Sequence, residues 1–267
     1  MKKIRKFCYP FFLILACSLG RVSAQSYYLL PESFFPERGQ EVKMSMFSEK
    51  GFDSRKAKGI PASQFRSAMM YAGGKPVNLL PEGAKGAGAE LAIKPEDQGL
   101  CLVSARKDLL LDALDREEVI RQLSDEGFNA LAEKAGDKEE MALNNILYAK
   151  ALVMNSKASG KCYEENTGQD LEVLLMQNPY KLKYGEDITV QILFKGKPLT
   201  KARAEVYTRT INGSVIPSES SSDSEGKVYI KLNRAGDWML KVTHIEPSEK
   251  DGEYTRWCSS YTFGFRQ

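Results

Sequence analysis

A single histidine, His244, stands in the 267 residues, within Val242-Thr243-His244-Ile245. Any Ser-His-Asp or Cys-His arrangement would have to run through it, and its sequence neighbours include no nucleophile. No GxSxG, HExxH or phosphate-cradling glycine loop occurs. Carboxylates are plentiful, but their spacing does not pair two of them for acid/base work. These residues predict a non-catalytic protein.

Metal chemistry has few other carriers. Met44 and Met46 form a Met-x-Met pair, and soft thioethers select Cu(I). They lie in the alternating segment Val42-Lys43-Met44-Ser45-Met46-Phe47, where methionine more often fills gaps in a core. Cys101, Cys162 and Cys258 are widely spaced with no CxxC, which argues against a structural zinc site. An odd count in an exported chain allows one disulfide with one thiol left over, or none. Buried small apolar residues is the reading preferred here.

Residues 1–24 are expected to be an export signal. Lys2, Lys3, Arg5 and Lys6 precede a short apolar stretch from Phe7 to Leu19, and Val22-Ser23-Ala24 supplies small residues for cleavage before Gln25. The stretch is too short to span a hydrocarbon core of about 30 Å, and Pro10 interrupts it. A competing reading takes Ile14-Leu15-Ala16-Cys17 as a lipoprotein signal with the lipid on Cys17, which would be the chain's only membrane contact. Five of the 38 basic residues lie in this segment and no acidic ones, so the mature chain carries 33 against 35 and a formal net charge of −2. That near-neutral balance leaves no electrostatic footprint for nucleic acid. The expected location is the periplasm or cell envelope.

The elements that must position these residues read as mainly β, in two sandwich domains. The first, residues 25–165, contains short strands at Val42 to Phe47, Pro76 to Leu80, Ala89 to Ile93 and Leu100 to Ala105, with Pro31 and Pro36 marking an extended or edge opening. A turn falls at Gly83 to Gly88. A helical insert is predicted over about 115–148: Asp115-Arg116-Glu117-Glu118 places acids at a helix start, and Glu139 to Tyr148 reads as a further helix. Ala149 to Met154 returns as a strand. The linker is Asn155 to Gly160 with Asn166 to Gly168.

The second domain, residues 169–267, is predicted to be immunoglobulin-like. Ile188, Val190, Ile192 and Phe194 alternate with Thr189, Gln191 and Leu193, and the period of two recurs at Ala204, Val206 and Thr208, at Val228, Ile230 and Leu232, and at Trp238, Leu240 and Val242. Ser218 to Ser222 reads as a polar connection, Asp223 to Gly226 as a turn. Trp257, Tyr261, Phe263 and Phe265 share one face of the last strand, with Cys258 and Gly264 opposite. About seven short strands at regular spacing argue the sandwich.

The order of several segments carries a likeness. Tyr28-Leu29-Leu30-Pro31-Glu32, Asp125-Glu126-Gly127, Tyr148-Ala149-Lys150-Ala151, Leu171-Glu172-Val173 with Asn178-Pro179, Gly185-Glu186, Leu193 to Leu199, Asp223 to Gly226 and Gly236-Asp237-Trp238 together resemble a large periplasmic family of otherwise unknown function. Its members are often labelled periplasmic components of an ABC-type cobalt/nickel uptake system. The resemblance spans nearly the whole mature chain. It implies an accessory protein of Ni or Co uptake, with a metal-uptake permease or outer-membrane receptor as partner. Family members place a histidine just after the cleavage site, where Gln25 and Ser26 stand here. The ligand set implied is therefore His244, Glu32 and Gln25, with Glu246 or a cysteine assisting; one imidazole alone makes a poor Ni²⁺ or Co²⁺ site. The plainer reading of His244 is a hydrogen-bonded histidine near a domain interface. The alternative function is an envelope β-sandwich module that binds a protein or glycan with no metal.

Overall fold

The computed structural model describes residues 25–54, 57–80, 90–95 and 98–266. The predicted export segment with Cys17 and the predicted turn at 83–88 lie outside the described residues. The chain is mainly β. Its first strands are β1 (Ser26–Pro31), β2 (Val42–Glu49), β3 (Lys58–Ile60), β4 (Ser67–Tyr71), β5 (Val77–Asn78) and β6 (Glu90–Ile93). Two long strands follow, β7 (Gly99–Asp115) and β8 (Glu140–Asn155), with helices α1 (Arg116–Asp125) and α2 (Asn129–Glu133) between them. After residue 165 come β9 (Leu171–Leu175), β10 (Asp187–Phe194), β11 (Lys197–Pro198), β12 (Arg203–Arg209), β13 (Val215–Ser221), β14 (Lys227–Lys231), β15 (Gly236–Pro247) and β16 (Glu253–Phe265).

These strands form three stacked layers. The middle layer is an eight-stranded sheet ordered β13-β12-β15-β16-β8-β7-β4-β5. One of its faces packs on the sheet of β9, β10, β11 and β14; Leu102, Leu152, Trp238, Leu240, Tyr261 and Phe263 meet Val173, Ile188, Val190 and Ile192 there. The opposite face, bearing Cys101, Val103, Ala149, Ala151, Val153 and Cys258, packs on the sheet of β1, β2, β3 and β6 through Leu29, Val42, Met44 and Met46. Each interface is a sandwich core of the usual alternating kind. Met44 and Met46 are buried in it, as gap-filling core residues should be.

Two sandwich interfaces are therefore formed, and they share their middle layer. The sheet does not break between 165 and 169. Instead β16 runs parallel to β8, pairing from Glu253 with Ala142 through to Phe263 with Leu152. Leu100, Leu102, Tyr148 and Leu152, all N-terminal to the linker, belong to the same core as the C-terminal four-stranded sheet.

Two local expectations are corrected. The helix predicted over Glu139 to Tyr148 is instead the start of β8, which opens at Glu140, and the helices of the insert are Arg116–Asp125 and Asn129–Glu133. The stretch lies inside the sheet, between β7 and β16, with Met141, Leu143, Asn145 and Leu147 on its more buried face. Asn145 interrupts the apolar series on that face and Ile146 stands on the opposite one, which leaves a run that mimics a helical stripe. Ser218 to Ser221 is the end of β13, paired with β12, rather than a connection. As an edge strand it needs little apolar character, and Pro217 is tolerated there.

Candidate interaction site

Gln25 and Glu32 lie at opposite ends of β1, seven residues along an extended chain and so about 23 Å apart. Gln25 Oε1 accepts hydrogen bonds from Ser48 Oγ at 2.7 Å and Tyr27 Oη at 3.2 Å, which fixes it against β2. His244 is on β15, on the other face of the middle sheet, paired in register with Trp257. The predicted ligands are thus not brought together. Among the described residues no group of three His, Cys, Asp or Glu is placed to hold a metal ion. The three cysteines are free and buried.

His244 has a defined local setting. Its ring packs against Phe194 at 4.1 Å between centroids, with Trp257 at 6.1 Å and Phe128 at 6.3 Å. Nε2 lies 3.4 Å from Glu246 Oε1. Burial pushes the imidazole below its ordinary range, Glu246 partly opposes this, and Lys195 reinforces it. Lys195 Nζ is 3.0 Å from the other Glu246 oxygen and sits over the Phe194 and Trp257 rings. A cation at Glu246 therefore meets an ammonium already in place.

A hollow lies at the far end of β15. It is a cleft of about 820 Å³ whose walls include Glu32, Phe35, Arg209, Ile211, Asp237 and Arg266. Two glycines make it. At Gly236, φ is +141°, and a Cβ would lie 2.2 Å from the Arg209 carbonyl oxygen, so only glycine lets β15 start this close to the end of β12. At Gly264 a Cβ would lie 2.6 Å from the Phe35 ring and 2.7 Å from Phe34 Cβ, so the Phe34-Phe35 segment can lie flat on β16. Phe34 is then pinned by its carbonyl, which accepts from Met154 N at 2.9 Å.

The cleft's charges divide into engaged and free. Arg209 bonds Asp237 Oδ2 at 2.6 Å and Ser54 Oγ at 2.6 Å, and lies over the Phe52 ring. Arg266 instead stacks its guanidinium on Phe35, 3.8 Å from the ring centroid, with no acidic partner among the described residues. Phe35 is backed by Tyr180, edge-on at 5.5 Å, and Tyr180 Oη donates to the Leu152 carbonyl at 2.5 Å. Arg266 also lines two adjoining hollows, of about 240 Å³ beside Met154 and about 640 Å³ beside Tyr184. Ile211 is 92% exposed at one end of this surface and Tyr184 55% exposed at the other. No sequence signal pointed to this cleft, because its walls come from β1, β12, β15 and β16.

The fold and this surface define a β-sheet module of three layers with a preformed, partly apolar cleft at one end. The chain belongs to the family described as domain of unknown function DUF4198, whose model matches residues 22–246. A comparison with curated proteins returns no match. Among solved structures, a tetra-tandem repeat from the extending region of a large adhesion protein is 12% identical, covering 91% of this chain and 50% of that one, with a TM-score of 0.24. The chain thus spans about half the length of that structure. The D0-D1 domain of Intimin is also 12% identical, covering 89% and 97%, with a TM-score of 0.23. Likenesses at these TM-scores do not establish a shared fold, and the architecture rests on the chain's own strand pairing. Among the described residues no helix is long and apolar enough to cross a membrane.

Proposed function

We propose that the protein is an exported, non-catalytic module of the cell envelope that binds a partner at the cleft around Arg266. The observation that carries this reading is the stacked Arg266–Phe35 pair at the junction of three hollows, flanked by exposed Ile211 and Tyr184. A guanidinium held over an aromatic ring is preorganised to receive a carboxylate while the ring and Ile211 cover apolar surface. Arginine and aromatic residues are also the types that anchor interfaces. The partner is a protein or glycan bearing carboxylate groups. A photo-crosslinking side chain placed at Ile211 should give a discrete adduct in envelope fractions, lost on Arg266→Ala. The same probe at Tyr229, an exposed position on β14, should give none; equal labelling at both positions would sink the reading.

A second reading follows the cobalt/nickel label that the sequence resemblance implies and makes the protein an accessory of cobalt/nickel uptake, working with a permease or an outer-membrane receptor. His244, whose imidazole burial pushes below its ordinary range and whose Nε2 lies 3.4 Å from Glu246 Oε1, supports it. One imidazole and one carboxylate shared with Lys195 should bind weakly. Calorimetric titration with Ni²⁺ is expected to give an affinity no tighter than about tens of micromolar, roughly −6 kcal/mol. Binding a hundredfold tighter and abolished by His244→Ala would favour this second reading over the first.

A further inference from the structure

Lys150, on β8, is completely buried between the middle sheet and the C-terminal four-stranded sheet, and its Nζ contacts Glu172 Oε1 on β9. The remaining contacts of both groups are ordered. Nζ donates to the carbonyls of Glu165 and Val173, each at 3.2 Å, and lies 6.0 Å from the Tyr261 ring centroid. Glu172 Oε2 accepts from the backbone N–H of Gln169 at 2.8 Å, and Oε1 from the Thr167 hydroxyl at 3.1 Å. The amine is thus held against one carboxyl oxygen while the other oxygen is fixed by a backbone donor, and both side chains are buried.

We propose that Lys150 and Glu172 condense after folding into an intramolecular isopeptide bond that ties the middle sheet to the C-terminal sheet. A proton first passes from Nζ to Oε1 along their hydrogen bond, giving a free amine and a neutral carboxyl. Nζ then attacks Cδ, and charge developing on Oε2 is met by the Gln169 N–H, as an oxyanion is met in acyl transfer. The Cδ–Oε1 bond breaks, Oε1 takes a second proton from Nζ, and one water leaves. The product amide keeps one hydrogen on nitrogen and its oxygen on Gln169. No oxidant or co-reactant is needed. Proximity supplies the main acceleration, since both reactants are locked in one geometry. Desolvation favours the first step, because it lowers the ammonium from its ordinary range although Glu172 opposes this. The bond would also serve the chain where thiols do not: Cys101, Cys162 and Cys258 are all free.

The test is a peptide map of the purified full-length protein, denatured and digested. The fragments carrying Lys150 and Glu172 are expected as one branched species, lighter by one water than their sum, with no cleavage after Lys150. In Lys150→Met the Glu172 fragment should run alone at its full mass, whether or not that variant folds. Recovery of both wild-type fragments as separate linear peptides, with Lys150 open to an amine reagent after denaturation, would overturn the proposal. Neither result depends on what binds the Arg266 cleft.

Discussion

Arg256, on β16, donates from Nη2 to Oε1 of Glu126, 130 residues away in the turn that ends α1. Lys241 Nζ lies 3.6 Å from the other Glu126 oxygen and 2.9 Å from Glu205 Oε1, and Arg256 Nη1 reaches Asn145 Oδ1 at 3.2 Å. All but Glu205 are nearly inaccessible to water. The helical insert is therefore attached by charge as well as by the apolar contacts of Val119, Leu123, Met141 and Ile245.

Removing one member of this set leaves charges buried without partners. Glu126→Gln is expected to cost about 3–5 kcal/mol in urea unfolding, because Lys241 then keeps only Glu205 and Arg256 keeps Asn145 with no carboxylate. Burial alone would raise the Glu126 carboxyl, but Arg256 and Lys241 more than offset this and hold it below its ordinary range. A folded pKa below the unfolded one gives stability that is complete above the unfolded pKa and lost as pH falls through the folded one. Acid unfolding of the wild type should thus be steeper than that of Glu126→Gln; identical acid profiles would count against the assignment.

His244 should add a second pH dependence, at higher pH. Its folded pKa is depressed by burial and by Lys195 despite Glu246, so stability falls as pH drops from the unfolded value of about 6.5 toward the folded one, then levels off. His244→Phe keeps the packing on Phe194 and Trp257 and should flatten that part of the curve. A slope unchanged in the variant would assign it elsewhere.

Trp238 is 2% exposed, its Nε1 donates to the Arg234 carbonyl at 3.1 Å, and its ring stacks parallel to Phe263. Trp238→Ala should cost about 3–5 kcal/mol, the range for deleting a large aromatic from a packed interior. Thermal melts of the variant and wild type measure it directly.

A fragment spanning 169–267 should not fold cooperatively alone. It lacks β7 and β8, which leaves one edge of β16 unpaired and removes Leu100, Leu102, Tyr148 and Leu152 from its core. A soluble fragment with a sharp urea transition would show that the shared sheet is dispensable.

Gly264→Ala tests the construction of the cleft. The added methyl meets Phe34 and Phe35, and relieving that overlap should cost about 1–3 kcal/mol and displace Phe35 from beneath Arg266. Quantitative unfolding paired with the Ile211 crosslinking assay should show both losses together.

Much of the architecture was legible because it rests on local periodicity. The alternation at Ile188 to Ile192, Ala204 to Thr208, Val228 to Leu232 and Trp238 to Val242 needs one buried face per strand, and each of these strands has that face. So do the parities of Trp257, Tyr261, Phe263 and Phe265 against Cys258, which fall on opposite sides of the middle sheet. Lys150, Glu172, Lys241 and Arg256 carried no signal of their partners, because one sequence cannot say which charge meets which. That pairing was decided by tertiary structure, through the parallel joining of β8 to β16 and the facing of β8 by β9. The same joining carries one sheet across both halves of the chain and makes the stretch from Glu140 to Tyr148, read as a helical pattern, an interior strand. The sequence alone determined which faces must be buried, because burial is read from side-chain type and period. Which faces meet was left to the packing, since contacts between residues a hundred positions apart leave no local pattern. The Arg266 cleft, built from four distant strand ends and two glycines, belongs wholly to that second kind.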